Sequence, residues 1–536
     1  MWNSIVKTKN RLSISSVTVI VIIIAIIVRF WKLWSVPAGY NVDEMGSAFD
    51  AWSLLHSGVD RWGIRFPVYF WNYGSGQSAL IVYMMMLSEA VFGFTTFAIR
   101  FPSFIGSVLV LLAGVGVIEY TWENFYGISK DILKLLFAIL YLISPLCQMM
   151  SHLGLDCDLM FGFSILFLYT LILAVDKEDW KYYVLSGICC GVMLYTYAIS
   201  YLVTIIFLVF AIIYLIITKR VNIKEVAAFV IPLCILAFPL ILVQYINITG
   251  HESVSLGIFT APKLAEYRAG EFTFSNLADN FFLTIKSALF YDFLDYNTMP
   301  RYFTFYPMSV PFAFIGCVVC IGKTGTFIEK KQYNGLSLVT FWFISMFFIS
   351  CLLGGNGESG INPNTNKING IFFPTMIFIV VGIVYCFKNI TIYHWKKILA
   401  FLLSVVYFAF TIKFYHNYYH YYVPENYWNY TYSDAVDFLK EKNLDNKTII
   451  SDEAYTYYLA SVRPLQSDFV VSGDNIISKD NTTIDYINSG FSDDVLAQYP
   501  DANYIYPVNS EYNFTALENA GYKLKEFKYC YLFYKD

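Results

Sequence analysis

Residues 40–103 of the chain read YNVDEMGSAFDAWSLLHSGVDRWGIRFPVYFWNYGSGQSALIVYMMMLSEAVFGFTTFAIRFPS. This stretch contains the adjacent acids Asp43 and Glu44, two further acids at Asp50 and Asp60, and Arg100 near its end. It follows the first apolar segment of a chain that is 57% hydrophobic and 14% charged, with a mean hydropathy of +0.53. Because acids beside a membrane segment are costly unless they face water or a partner, we interpret these acids as functional.

Hydropathy predicts about eleven membrane-spanning helices. They lie near residues 14–34, 99–119, 135–151, 159–175, 182–198, 199–217, 226–246, 307–322, 335–353, 370–387 and 397–413. Counted from a cytoplasmic N-terminus, the short basic loops, such as those with Lys130, Lys181 and Lys323, all fall on the cytoplasmic side. The apolar run at 79–93 is too short to span, so we predict an interfacial helix with Glu89 facing water. A short tilted span is the alternative.

The composition divides the chain into two parts. Residues 1–413 form the predicted membrane domain, with external loops at 35–98, 150–158, 246–306 and 354–369. Residues 414–536 carry 18 acidic and 9 basic residues, a net charge of −9. They alternate short β-rich stretches (448–450, 468–471, 503–506 and 529–534) with helical patterns such as 434–441 and 517–520. This pattern predicts a separate extracytoplasmic α/β domain. Its acidity argues against a nucleic-acid partner.

The pair Asp43-Glu44 is the first candidate for chemistry. Adjacent acids point to opposite sides of the element that they begin, so one can face a cavity while the other fixes the local fold or caps the following helix. A simple helix start is the alternative for Asp43. Arg29 and Lys32, just beyond the first span, are interpreted as interfacial anchors whose stems lie along lipid.

The motifs of the first loop resemble one known superfamily. The series PxGxNxDE, DAWSLL, DRWG and AIRxPS is similar to the first external loop of the dolichyl-phosphate-mannose protein O-mannosyltransferases, and more closely to the bacterial aminoarabinose-lipid A transferases of that superfamily. The resemblance implies a polytopic α-helical membrane protein of GT-C type in the plasma membrane. It also implies external active-site loops and a polyprenyl-phosphate sugar donor.

The resemblance also implies roles for individual residues. Asp43 matches the proposed catalytic base, with Glu44 as its companion, and Asp156 matches an acid of the second external loop. Arg100 is similar to a basic residue expected at the donor phosphate or in the structure of the site, with a membrane anchor as the alternative. His152 stands where the family usually has Arg. It is expected to meet the phosphate as imidazolium, to bind a metal, or to be an ordinary interfacial histidine.

Three more cations and one more acid complete the candidate site. Lys263 and Arg268 lie in the long loop 246–306. Lys367 precedes a helix with the aromatic-Pro pair Phe373-Pro374 at its start, and it stands where family members often have Arg. Each is a candidate for binding the donor phosphate. Asp158 is counted among the substrate-binding residues. A divalent cation (Mg, Mn or Zn) is left open, and its candidate ligands are Asp43, Glu44, Asp156, Asp158 and His152.

The sequence therefore predicts a membrane glycosyltransferase that transfers a sugar, with inversion, from a polyprenyl-phosphate donor to an extracytoplasmic acceptor. The acceptor is a protein, a cell-wall polymer or a lipid-linked glycan, and the oligomeric state is open. The rivals are a transporter or flippase of lipid-linked saccharide, an oligosaccharyltransferase or ligase, and an inactive homologue. The tail lacks a WWDxG motif, and no repeated halves of the kind common in transporters are visible.

Overall fold

A computed structural model describes residues 13–72, 75–122, 128–265, 272–291, 297–354, 363–423, 432–445, 447–479 and 484–535. Their helices begin with α1 (Ile14–Phe30), α2 (Val42–Ser57), α3 (Ala79–Phe92), α4 (Thr96–Thr121), α5 (Lys130–Ile143), α6 (Pro145–Met150), α7 (Asp156–Lys177), α8 (Trp180–Met193), α9 (Ser200–Ile217) and α10 (Ile223–Thr249). They continue with α11 (Leu277–Leu289), α12 (Val310–Glu329), α13 (Gly335–Leu352), α14 (Phe372–Asn389), α15 (Tyr393–His420), α16 (Tyr432–Glu441), α17 (Tyr455–Val462), α18 (Asp493–Gln498) and α19 (Thr515–Asn519).

The strands form two hairpins and one larger sheet. The hairpins are β1 (Tyr69–Asn72) with β2 (Ser75–Ser78), and β3 (Val254–Leu256) with β4 (Phe259–Ala261). The larger sheet contains β5 (Ile449–Ser451), β6 (Phe469–Ser472), β7 (Asn475–Ser478), β8 (Ile484–Asn488), β9 (Asn503–Pro507), β10 (Lys523–Glu526) and β11 (Cys530–Tyr534). The described strands of this sheet have the order β10-β11-β9-β5-β8-β7-β6.

Eight of the described helices are long and apolar enough to cross a membrane: α4, α7, α9, α10, α12, α13, α14 and α15. Each of the eleven predicted spans coincides with a helix. The spans predicted at 14–34, 135–151 and 182–198 correspond to the shorter helix α1, to α5 with α6, and to α8. The polytopic helical architecture predicted from hydropathy is therefore present.

Helix α7 lies at the centre of the helical bundle. In its most apolar window 83% of the residues are buried, whereas the corresponding figure for α15 is 6%, so α15 presents its surface to lipid. Helix α7 packs closely on α4 at two glycines: a Cβ atom on Gly162 would lie 2.1 Å from the carbonyl oxygen of Gly106. This close contact brings the N-terminus of α7, with Asp156, near the segment of α4 that carries Arg100.

The first external loop folds into α2, the β1–β2 hairpin and α3. Helix α2 begins at a capping box, in which Asn41 accepts a hydrogen bond from the Asp43 backbone N–H and Glu44 accepts one from the Asn41 N–H. It ends at Gly58, which adopts the left-handed conformation (φ 70°) that suits a helix C-terminus. The acidic pair therefore belongs to the first turn of a well-capped helix, where the helix dipole stabilises negative charge.

The C-terminal sheet has helices on both faces. Strand β5 is parallel to both β8 and β9, and the remaining pairs are antiparallel. Helices α16 and α17 pack on one face together with residues of α2 and α3, whereas α18 and α19 lie on the other face. The predicted strands near 448–450, 468–471, 503–506 and 529–534 and the predicted helix 434–441 are all observed, so the α/β prediction is confirmed.

Two predicted surface positions are wrong. Glu89 of α3 was expected to face water, but it is 4% exposed because α3 is covered by α2 and by the C-terminal domain. Arg29 was expected to lie along lipid, but it is fully buried. It donates hydrogen bonds to Gln148 (2.6 Å) and to the Tyr415 hydroxyl (2.8 Å). Hydropathy could not foresee this burial because α15, which covers Arg29, is almost four hundred residues away in the chain.

Candidate active site

Glu44 is buried in the first turn of α2, and both of its carboxylate oxygens accept hydrogen bonds from protein groups. Its Oε1 atom accepts a hydrogen bond from Nε of Arg100 (2.9 Å) and another from the backbone N–H of Gly154 (3.0 Å). A Cβ atom on Gly154 would lie 3.1 Å from Glu44 Oε1 and 2.7 Å from the terminal methyl group of Met85, so the glycine lets Glu44 approach this backbone closely. Glu44 thereby joins the first external loop to the second.

Arg100 is a fully buried cation whose guanidinium group ties α4 to the segment that precedes α2. Besides Glu44, it donates hydrogen bonds to the carbonyl oxygens of Pro37 (2.9 Å) and Gly39 (2.6 Å). These contacts are those of a structural arginine, one of the two active-site roles considered for it. The membrane-anchor alternative is wrong because the side chain reaches inward rather than toward lipid.

Asp43 contacts a different element from its neighbour. Its side chain is half-buried, and its Oδ1 atom accepts a hydrogen bond from Nδ2 of Asn72 at 2.9 Å. The Oδ1 atom of Asn72 in turn accepts one from Nη1 of Arg61 at 3.4 Å. The amide of Asn72 is therefore held in one orientation, and it presents its N–H to the Asp43 carboxylate.

A buried ion pair supports this arrangement. Arg61 binds Asp50 through two side-chain contacts, Nε to Oδ1 at 3.0 Å and Nη2 to Oδ2 at 2.7 Å, and neither residue is exposed. A Cβ atom on Gly46 would lie 2.7 Å from Nη2 of Arg61, so the glycine makes room for the guanidinium group against α2. Two-point arginine–carboxylate contacts are strong and directional. These contacts fix the orientation of the Arg61 guanidinium group, which in turn fixes the orientation of the Asn72 amide.

The β1–β2 hairpin also reaches the second acid of the site. Asn72, at the end of β1, contacts Asp43, and the backbone N–H of Ser78, at the end of β2, donates to Oδ2 of Asp156 at 3.1 Å. Asp156 is the first residue of α7 and is half-buried, and its charge interacts with that of Asp43. One hairpin thus holds two carboxylates that come from the N-termini of two helices.

The C-terminal domain completes the surroundings of Arg61. Tyr455, at the start of α17, forms a side-chain hydrogen bond with Arg61, and its ring lies 6.5 Å from that of Trp62. Tyr457 donates to the carbonyl oxygen of Tyr40 at 2.8 Å. The domain therefore touches both the segment before α2 and the arginine that supports Asn72.

Asp60 adds a buried acid near the ion pair. Its Oδ1 atom accepts hydrogen bonds from the backbone N–H groups of Trp62 (2.9 Å) and Ile64 (2.8 Å), which shape the turn before β1. Burial, and next the nearby charge of Asp50, raise the pKa of Asp60 to about 8. Asp60 is therefore a structural acid of the turn, and it lies outside the spanning helices.

His152 does not fit either of the functional roles expected for it. It is fully buried between α6 and α7, where its Nε2 atom lies 2.8 Å from the carbonyl oxygen of Arg29. Burial lowers the pKa of His152 to about 3, so the imidazole is neutral at physiological pH. The expectation of an imidazolium that meets phosphate is wrong, because the site desolvates the charged form.

The remaining predicted residues occupy varied positions. Asp158 is buried in the first turn of α7, and its Oδ2 atom has no hydrogen-bond partner among the described residues. Lys263 follows β4 and is paired with Glu252 at 2.7 Å, with the lysine 40% exposed. Lys367 is half-buried in the turn before α14, two residues from Asn369, which donates to the carbonyl oxygen of Cys157 at 2.5 Å. Arg268 lies outside the described residues.

A metal site does not form among the proposed ligands. In the part of the chain that the structure describes, no three His, Cys, Asp or Glu side chains converge to hold a cation. Glu44 is occupied by Arg100, and His152 by the Arg29 carbonyl. The five proposed ligands therefore do not converge on one cation among the described residues.

The residues that sequence reasoning missed are Asn72 and Arg61 as supports of Asp43. The signal that was available is the pair of motifs DAWSLL and DRWG, which contain Asp50 and Arg61 and flank the turn at Gly58. Such a turn brings the two motifs together, so an acid and an arginine on its two sides are candidates for an ion pair. The link from Asn72 to Asp43 spans 29 residues and has no local signature.

Together, the bundle of spanning helices, the acid-bearing first loop and the C-terminal sheet define a multi-pass membrane protein of GT-C fold. The model of the family described as dolichyl-phosphate-mannose-protein mannosyltransferase matches residues 77–245, about a third of the chain. The resemblance to this superfamily is thereby confirmed. A search of curated proteins found no match.

Solved structures share the fold across nearly the whole chain. ArnT from Cupriavidus metallidurans bound to undecaprenyl phosphate matches with a TM-score of 0.55 and 10% identity, covering 96% of this chain and 97% of that one. Its apo state matches with a TM-score of 0.54 and 11% identity over the same shares. The oligosaccharyltransferase AglB from Archaeoglobus fulgidus, in complex with an inhibitory peptide and a dolichol-phosphate, has a TM-score of 0.53 at 13% identity, covering 92% and 69%.

Proposed function

We propose that this chain is a membrane glycosyltransferase that transfers a sugar from a polyprenyl-phosphate donor to an extracytoplasmic acceptor. The observation that carries the proposal is the pair of carboxylates, Asp43 and Asp156, which one hairpin holds at the N-termini of α2 and α7. Related folds with bound undecaprenyl phosphate or dolichol-phosphate support a lipid-phosphate donor. The basic short loops support a cytoplasmic N-terminus and an external site.

Asp43 acts as the general base in this proposal. It takes the proton from the hydroxyl or amine of the acceptor, whose oxygen or nitrogen then forms a bond to the anomeric carbon of the donor. The bond between that carbon and the phosphate oxygen breaks, and the polyprenyl phosphate leaves with the electron pair. One displacement of this kind inverts the anomeric configuration. Asn72 is the positioning residue that directs the base, because its N–H holds one carboxylate oxygen.

Asp156 and Glu44 have separate supporting roles. Asp156 is half-buried beside Asp43, so it can accept a second hydrogen bond from the acceptor and orient it for deprotonation. Glu44 is buried against Arg100 and Gly154, so its role is to hold the two external loops in register. Its chemistry is that of a fixed structural anion rather than a base.

Lys367 is the leading candidate for the departing phosphate. Its turn is tied to the start of α7 through Asn369 and the Cys157 carbonyl, which places the lysine on the same side of the molecule as Asp156. An ammonium group stabilises the negative charge that develops on the leaving phosphate. Arg100 is fully buried and binds Glu44 and two backbone carbonyl oxygens, so its role in this proposal is structural.

The test uses the purified chain in nanodiscs with a panel of radiolabelled polyprenyl-phosphate sugars and membrane extracts as acceptors. Release of polyprenyl phosphate together with label in an acceptor of inverted anomeric configuration supports the proposal. A Lys367→Ala variant is expected to keep the Asp43 carboxylate in place but to slow turnover about 10- to 100-fold, because the departing phosphate loses one charge contact. Transport of intact lipid-linked sugar without cleavage would instead support the flippase alternative.

A further inference from the structure

The parallel strands β5 and β8 of the C-terminal sheet form a topological switch point at their carboxyl ends. After β5 the chain turns to α17 on the face that packs against the first external loop, whereas after the adjacent β8 it turns to α18 on the opposite face. Where two adjacent parallel strands send their connections to opposite faces, the loops separate and open a crevice at the sheet edge. In this domain the switch-point principle puts the crevice between the loops that begin at Asp452 and Ser489.

Polar groups from three loops meet at this crevice. The exposed carboxylate of Asp452 is hydrogen-bonded to the hydroxyl of Tyr512, and this hydroxyl lies against Gly490, where a Cβ atom would come within 2.6 Å of it. Tyr506 donates to the Ser489 carbonyl oxygen at 3.2 Å. The buried Oγ atom of Ser510, in the loop after β9, has no hydrogen-bond partner among the described residues.

Aromatic rings border the same crevice. Phe491, Tyr512 and Phe514 are half-buried, and the ring centroid of Phe514 lies 5.5 Å from that of Phe491 and 6.0 Å from that of Tyr512. These rings pack around Tyr506, so their orientations are fixed by the core beneath them. A rigid aromatic surface with a few convergent polar groups is typical of a small-ligand site.

The negative charge around the crevice indicates which class of ligand it could bind. Asp452 makes no ion pair with any described residue, and the domain as a whole carries a net charge of −9, so a phosphate or another anion is disfavoured. A carboxylate accepts hydrogen bonds from hydroxyl or amino groups, and an aromatic ring packs against the apolar C–H face of a pyranose. A neutral or amino saccharide satisfies both features.

We propose that the crevice between the Asp452 and Ser489 loops is a saccharide-binding site. It is linked to the first external loop through Tyr455, only three residues after Asp452, which contacts Arg61 and Trp62 of that loop. Three residues span at most about 10 Å. Interpreting the bound saccharide as part of the acceptor rests on the proposed function, whereas the binding itself does not.

The experiment measures saccharide binding to the full chain in detergent micelles by saturation-transfer NMR, with methyl glucoside, N-acetylglucosamine and glucosamine as probes. The Asp43→Asn variant is used throughout, so that binding is read without turnover. At least one probe is expected to bind, and Asp452→Asn and Tyr512→Phe are each expected to weaken its affinity about tenfold. Asp501→Asn, at the opposite end of the sheet, is the matched control and is expected to bind as the parent does.

Two results would overturn the proposal: none of the three probes binds, or a probe binds equally well to the parent, to Asp452→Asn and to Tyr512→Phe. Thermal unfolding of each variant identifies any that fail to fold, and Tyr512→Phe, which removes only a hydroxyl group, keeps the test valid if Asp452→Asn is unstable. Donor turnover by the chain with native Asp43 is measured separately. Absence of probe binding by the Asp43→Asn parent, with donor turnover intact in the chain with native Asp43, therefore refutes the site and leaves the proposed function standing.

Discussion

The Nδ2 atom of Asn72 lies 2.9 Å from Oδ1 of Asp43, and this hydrogen bond links the proposed base to a buried ion pair. Asn72 accepts a hydrogen bond from Arg61, and Arg61 forms an ion pair with Asp50. Arg61 also forms a hydrogen bond with Tyr455 of the C-terminal domain. The orientation of one carboxylate thus depends on a chain of contacts that crosses from one domain to the other. Each contact in this chain can be tested separately.

Asn72→Ala is expected to lower kcat by about 10- to 100-fold with a smaller change in the donor KM, because the carboxylate stays present but loses its fixed orientation. Steady-state kinetics on the purified chain measure both constants. Gln77→Ala is the matched control, because it removes a buried amide of the same hairpin, one bonded to Ser47 rather than to Asp43. Equal effects of the two substitutions on kcat would contradict a positioning role for Asn72.

Asp50→Ala is expected to destabilise the protein by about 3–5 kcal/mol, because it leaves the Arg61 guanidinium buried without its carboxylate. Thermal unfolding in detergent measures the change. The double variant Asp50→Leu with Arg61→Met removes both charges and is expected to regain much of this stability.

The enzymatic activity of the same double variant distinguishes the contribution of the ion pair to stability from its contribution to the orientation of Asn72. The double variant is expected to remain poorly active, because Asn72 has lost the donor that orients its amide. Full activity in a stable double variant would show that the ion pair contributes to stability alone.

Gly46→Ala is expected to cost about 1–3 kcal/mol of stability and to reduce activity, because the new methyl group would lie 2.7 Å from Nη2 of Arg61. Gly322→Ala in α12 is the control, since a Cβ atom there meets no atom within 4 Å. That control is expected to be neutral or slightly stabilising. Similar melting temperatures for the two variants would contradict the tight packing of Arg61 against α2.

The burial of Glu89 is expected to make the stability of the protein depend on pH. Its side chain is buried, its two oxygens have no hydrogen-bond partner in the described part of the chain, and burial raises its pKa to about 9. The native state therefore holds a proton that the unfolded state releases near pH 4.5, so this residue lowers stability as the pH rises from about 4.5 through about 9. Glu89→Gln removes this loss.

The test compares the melting temperatures of the native chain and Glu89→Gln between pH 5 and pH 9. This range lies between the ordinary pKa of Glu89 and its raised pKa in the folded protein. The advantage of Glu89→Gln over the parent is expected to grow as the pH rises. Parallel curves for the two proteins would show that Glu89 is not the group responsible.

Hydropathy was sufficient to predict the positions of the helices, because each membrane span is a continuous run of apolar residues in the sequence. The alternating patterns of the tail were likewise sufficient for the strands at 449–451 and 530–534. The adjacent acids were predicted to have different surroundings, and they contact different elements: Glu44 meets α4 and the second loop, and Asp43 meets the hairpin.

What the sequence could not provide is the identity of partners that are distant in the chain. Arg29 follows an apolar run and therefore looked like a lipid anchor, yet it binds Tyr415, 386 residues further on. His152 stands where the family usually has Arg, so a phosphate contact was one of the roles considered for it, whereas packing against Arg29 and Tyr418 excludes the water that its charged form requires. Burial of this kind is set by tertiary packing, which local patterns do not report.

The most direct test of the central claim compares the native chain with Asp43→Asn in nanodiscs, using radiolabelled polyprenyl-phosphate sugars and scoring both donor cleavage and transfer to membrane extracts. Asparagine keeps the size of the side chain but cannot take a proton, so we expect turnover to fall by about 100- to 10,000-fold while the melting temperature changes little. Turnover by Asp43→Asn equal to that of the native chain would contradict the account.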